Sequence, residues 1–208
     1  CTGTLAAGAN CSVSVKFHPL TVGASKSATL TVNGGTGVSA TANQSGTSVS
    51  VGALMINSTS QNFGNVLINT STADTTFTIT NSGGSPTGVL SGSMTGADAN
   101  QFTLTNNCTG QTLVASGTCT MVVHFNPTSS GSKSASISVT GSPGGSVSAS
   151  LSGTGQRPAA LSINPTANGY GSVAINTDGA TVPFTVTNTG DVLSSTLVVS
   201  LTGTNPTD

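Results

Sequence analysis

Apolar and polar residues alternate in short runs along this chain, and the alternation predicts strands with one buried face. In "SVSVKF", Val13, Val15 and Phe17 share a face, as do Met121, Val123 and Phe125 in "TMVVHF". "SATLTV" sets Ala28, Leu30 and Val32 inward, and "SASISV" does the same with Ala135, Ile137 and Val139. Val147, Ala149 and Leu151 follow in "SVSASLSG". Phe77 and Ile79 alternate with Thr, as do Phe184 and Val186; Leu54 with Ile56 and Leu161 with Ile163 make shorter pairs. The outward positions are nearly all Ser or Thr. Turn-forming clusters separate the runs: "NSGGSP" at 81–86, "NPTSSGS" at 126–132, "GSPGG" at 141–145 and "NTG" at 188–190.

The pattern repeats. Cys11 and Cys119 stand 108 residues apart, as do Phe17 and Phe125, whereas Lys26 and Lys133 stand 107 apart. "ALMINSTSQNFGNVLIN" from Ala53 matches "ALSINPTANGYGSVAIN" from Ala160, and "FTITNSG" from Phe77 matches "FTVTNTG" from Phe184, each at an offset of 107. The two sets of matches are complementary. Residues 1-48 read as the C-terminal half of one unit, 49-156 as a complete unit, and 157-208 as the N-terminal half of the next. "GTGQRP" at 153–158 reads as the hinge between units. Self-similarity at a fixed period marks a repeat architecture. The expectation is a window of about two units from a longer array, or the repeating subunit of a polymer.

Seven or eight short strands in each period of about 107–108 residues point to an all-β fold of tandem immunoglobulin-like β-sandwich repeats. Composition agrees. Charged residues are 4% of the 208, and there is no Glu to line a helix face. Disorder is the competing reading of so much Ser, Thr and Gly, and the alternation argues against it. The antibody pattern of a Trp between distant cysteines is absent, since there is no Trp and each cysteine pair is local.

Charge narrows function. Four cationic side chains and a net charge of −1 leave no footprint for nucleic acid. No apolar run approaches the roughly 20 residues of a membrane span. The sequence carries neither an initiator Met nor a signal peptide, so we expect a mature product or a fragment. Near-zero net charge and strand edges poor in charge both favour assembly.

"FGNV" at 63–66, "FTITNSG", the Cys108/Cys119 loop, "HFNPTSSGSKSASISV" at 124–139 and "LSGTG" at 151–155 together resemble the bacterial choice-of-anchor D repeats. These belong to the wider ASH (ASPM–SPD-2–Hydin) group of immunoglobulin-like domains. The resemblance implies a spacer, stalk or adhesive module of a large secreted or surface protein, and it supplies no catalytic residues.

Candidate chemistry is sparse. Cys1 with Cys11, and Cys108 with Cys119, recur at loop spacings of ten and eleven. They read as local disulfides, with free thiols or a metal site as alternatives, because zinc ligands come in closer pairs with two partners elsewhere. A bridge over so short a loop contributes about 3 kcal/mol in the chain-entropy model and implies an oxidising compartment. His18 and His124 do not occupy equivalent positions, so neither founds a repeated catalytic site. Lys26 and Lys133 do recur, but no acid recurs beside them to support an isopeptide cross-link. Asp98 and Asn100, with Asn205 aligned to Asp98, are too few for a dedicated calcium site. The Asn-x-Ser/Thr triplets are what chance gives in this composition.

We therefore expect no enzyme, cofactor or metal. The expected protein is structural, secreted or at the cell surface: a stalk, adhesin body or extracellular filament. Its partners would be copies of itself, head to tail, or adjoining repeats of a longer chain. The alternative is a carbohydrate-binding or spacer module of a larger secreted enzyme or adhesin. Such modules present aromatic platforms, whereas Phe63, Phe77, Tyr170 and Phe184 sit at repeated positions that read as core.

Overall fold

The computed structural model describes residues 1–204. Its strands, in chain order, are β1 (Gly23–Asn33), β2 (Ser39–Ser48), β3 (Leu54–Ile56), β4 (Ser60–Leu67), β5 (Thr75–Asn81), β6 (Ser91–Thr95), β7 (Phe102–Asn106), β8 (Thr118–Phe125), β9 (Gly131–Gly141), β10 (Gly145–Gln156), β11 (Leu161–Asn164) and β12 (Thr185–Asn188). Among the described residues one 3-10 turn, Ala99–Gln101, accompanies them. The chain is all-β.

β3 to β10 build an immunoglobulin-like sandwich. One sheet has the order β3-β5-β8-β7 and the other β4-β10-β9-β6. All pairings are antiparallel except β4 with β10, which run parallel. The strand period of two decides which residues meet between the sheets. Phe77 lies opposite Met121 and Ile79 opposite Cys119, while Ile137 lies opposite Ala149 and Val139 opposite Val147. Phe77, Ile79, Met121 and Val123 of the first sheet and Ile137, Val139, Ala149 and Leu151 of the second are buried in one core. Each large side chain withdrawn from water there contributes about 1.5–3 kcal/mol.

The outer face of the second sheet is a ladder of serines. Ser134 stands opposite Ser152, Ser136 opposite Ser150 and Ser138 opposite Ser148. Ser93 and Ser138 hydroxyls meet at 3.1 Å. These small hydroxyls satisfy one another and the backbone without charge, which explains how so uncharged a chain keeps a polar exterior.

At one end of the core Phe63, Phe102 and Phe125 cluster, with ring centroids 4.8–6.1 Å apart. The segment expected to be a hinge begins as strand, since Thr154, Gly155 and Gln156 pair with Asn65, Val66 and Leu67. Its glycines are required by space: a Cβ on Gly153 would sit 2.6 Å from the Phe125 ring, and one on Gly155 would collide with the Ser129 carbonyl.

Outside the sandwich are two hairpins. β1 pairs with β2 as one two-stranded sheet, and β11 pairs with β12 as another. The alternating run from Cys11 to Phe17 is not a strand here, although its pattern predicts one. The physical reason lies in its partners, described next.

Candidate functional site

Cys108 and Cys119 are joined, with Cα atoms 5.1 Å apart. The loop they close is seated in the sandwich. Its Leu113 is buried, its Leu113 N–H donates to the Thr87 hydroxyl, and its Leu113 carbonyl accepts from the Thr87 N–H. The Leu90 N–H donates to the Gln111 carbonyl. The pivot of this seat is Asn81, which is fully buried. Its Nδ2 donates to the carbonyls of Ser85, Leu113 and Val114 at 2.8, 2.9 and 3.1 Å. Its Oδ1 accepts from the N–H groups of Ala53 and Gly83 at 3.0 and 2.9 Å. Gly83 must be glycine, because a Cβ there would collide with the Val51 carbonyl.

Cys1 and Cys11 are joined in the same way, with Cα atoms 5.4 Å apart. The two loops share internal geometry. Ala9 N–H donates to the Ala6 carbonyl at 3.0 Å, as Gly117 N–H does to the Val114 carbonyl at 2.9 Å. Gly8 and Ser116 both take left-handed backbone, at φ 77° and 62°. The settings differ: Leu5 is 57% exposed and Leu113 only 6%. The following segment, with Val13, Val15 and Phe17, is exposed as well. The Phe17 ring lies over Gly46, 3.0 Å from where a Cβ would be, as the Phe125 ring lies over Gly153. Together with Val15 and Ala28 it lines a shallow hollow.

The C-terminal hairpin shows the other side of the same arrangement. Asn188 Oδ1 accepts from the N–H groups of Ala160 and Gly190 at 3.1 and 3.0 Å, and its Nδ2 donates to the Val192 carbonyl at 2.8 Å. These are the bonds of Asn81 to Ala53, Gly83 and Ser85, moved by 107 residues. Leu161, Ile163, Phe184, Val186, Leu197 and Leu201 are exposed. Leu161, Ile163, Val186, Leu197 and Val199 line an open apolar hollow. Tyr170, which aligns with Phe63, is exposed too.

The remaining candidates are local fixtures. His18 is exposed. His124 Nδ1 lies 3.1 Å from Asp74 Oδ1 on the surface. Lys133 Nζ donates to the Ser130 carbonyl and Lys26 Nζ to the Thr21 hydroxyl, so both lysines tie down their turns. Asp98 Oδ2 accepts from the Ser134 N–H, clipping the 3-10 turn to β9, and the Asn100 side chain meets Gln101. Asn205 and Asp208 lie outside the described residues. Among the described residues no cluster of His, Cys, Asp or Glu is arranged to hold a metal, and no helix is long and apolar enough to cross a membrane.

An ion pair that sequence patterns do not reveal joins Arg157 to Asp191. The guanidinium donates to both carboxylate oxygens, at 2.9 and 3.2 Å, and the Arg157 backbone N–H adds a bond of 2.7 Å. These hydrogen bonds hold the Asp191 carboxyl below its ordinary range and the Arg157 guanidinium above its own. The Asn81 and Asn188 pivots were also unforeseen as sites, although both lie within the repeated "FTITNSG" and "FTVTNTG".

No family model matches the chain, and no curated protein matches it. Among solved structures it is similar to the ASH / PapD-like domain 7 of human CEP192, at 16% identity over 50% of this chain and 86% of that one, with a TM-score of 0.40. It is also similar to the secreted serine protease VesC from Vibrio cholerae, at 20% identity over 57% of this chain and 30% of that one, TM-score 0.38. The E. coli chaperone DraB is a third, at 15% identity over 51% of this chain and 56% of that one, TM-score 0.36. Likenesses of this size bear on no activity or partner, and the sandwich rests on its own strand pairings.

Proposed function

We propose that the chain is a structural protein of the cell surface or extracellular space, made of tandem immunoglobulin-like repeats of the choice-of-anchor D kind. Residues 49-156 form a complete repeat. Residues 1-48 and 157-208 are the complementary halves of two others. Each is completed by the opposite half of a neighbouring copy, or by an adjoining repeat of a longer chain. The product is a stalk, adhesin body or filament, with no enzymatic chemistry of its own.

One observation carries this reading. In the sandwich, β9–β10 and β3–β5 pair strands from the same half, whereas β4–β10, β6–β9 and β5–β8 pair strands from opposite halves. The flanking segments keep the first kind in matching register. Leu30 faces Ala42 as Ile137 faces Ala149, and Ile163 faces Val186 as Ile56 faces Ile79. The second kind is missing, and so are the strands that need it. Residues 10–17, 167–174 and 198–202, equivalent to β8, β4 and β6, are not strands. A sequence that alternates as a strand but lacks a partner is an incomplete sheet, and its exposed apolar face marks an interaction surface. Two disulfides fit an oxidising compartment.

A heterologous contact of this kind does not close on itself and propagates as a fibre. Light scattering coupled to size exclusion should therefore give species in multiples of 20.1 kDa that grow with concentration. A monomer of that mass throughout the micromolar range would contradict completion between copies.

A further inference from the structure

Resting on that reading, we infer that Asn188 is a latch for the Cys1–Cys11 loop of a second copy of the chain. The complete repeat shows what such a latch holds. Asn81 Nδ2 reaches two carbonyls of its own cystine loop, those of Leu113 and Val114. Asn188 reproduces the rest of that pivot: two accepted N–H groups and one donated bond. The loop carbonyls are what it lacks. Their counterparts in the N-terminal loop are Leu5 and Ala6, because Ala6 and Val114 hold the same internal turn.

The loop is already shaped for the seat. Its internal bond and its left-handed residue match those of the seated loop, and its disulfide closes a loop one residue shorter, without a counterpart of Gln111. Its Leu5 is exposed where Leu113 is buried. The receiving side is likewise open: Leu197, equivalent to the buried Leu90, is 53% exposed. Ser194 stands where Thr87 bonds Leu113 through its hydroxyl and N–H, and Ser keeps both groups. In the joined pair the Leu5 carbonyl accepts from Asn188 Nδ2 and the Ser194 N–H. The Leu5 side chain enters the core beside Leu197. Because the cystine holds the loop in its docked shape beforehand, little ordering opposes the contact.

Two variants test this by sedimentation velocity over a concentration series of the full 208-residue chain. Asn188→Asp keeps the oxygen that accepts from Ala160 and Gly190, and replaces the donor with an oxygen that repels the loop carbonyls as well as the Val192 carbonyl of its own copy. Leu5→Asp alters a side chain exposed within its own copy, so the fold of that copy is untouched. Each should raise the concentration for half-assembly by about tenfold or more. If the wild type assembles and either variant assembles equally well, the latch is wrong while completion of halves stands. If the wild type itself does not assemble, the latch and completion between copies are both overturned.

Discussion

Asn81 is wholly buried, donates to three carbonyls and accepts from two amides. Five backbone groups from three segments therefore depend on one side chain. Truncation to Ala would leave several of them without partners in a site too closed for water to replace the amide. Asn81→Ala should lower the unfolding free energy by about 3–5 kcal/mol, read from urea denaturation. A loss below about 1 kcal/mol would mean that the loop reseats without it. At this scale the sequence is a poor guide. Asn is common here and suits turns, so nothing in its spacing separates the pivot at 81 from a turn residue. The cysteines were legible because their spacing recurs, and the buried aliphatics because they alternate.

At the scale of elements, alternation is read correctly as a preference for one face and incompletely as a strand. Val13, Val15 and Phe17 alternate as cleanly as Met121, Val123 and Phe125, yet only the latter run lies between partners. A strand is a property of its neighbours, since its hydrogen bonds are made between segments and not within one. β6, "SGSMT", shows the reverse: with Met94 as its one large apolar residue it offers little alternation, and pairing with β9 makes it a strand. The segment read as a hinge between units is strand as far as Gln156, because Gly153 and Gly155 are close approaches to Phe125 and Ser129 along β10.

At the scale of the whole molecule, scarcity of charge governs behaviour. Asp191 is the carboxyl held below its ordinary range, through its hydrogen bonds to Arg157. A lowered carboxyl stabilises the folded chain at pH above its unfolded value, about 4. That contribution fades only as pH falls through the lower folded value. The pair is solvent-exposed, so its effect is small and screened by salt. The unfolding midpoint should accordingly be flat from about pH 5 to 9, followed by thermal melts across that range, and should decline only in stronger acid. A steep change near neutrality would contradict this.

Completion of one half by another is tested most directly by hydrogen exchange at residues 11–17. In dilute chain these amides have no strand on either side and exchange at the rate of open backbone. On assembly they pair with the neighbouring copy's equivalent of β5, residues 182–188, and exchange of the amides that face it should slow towards that of residues 119–125 in the same sample. Equally fast exchange at Val13, Val15 and Phe17 in dilute and assembled samples would contradict it.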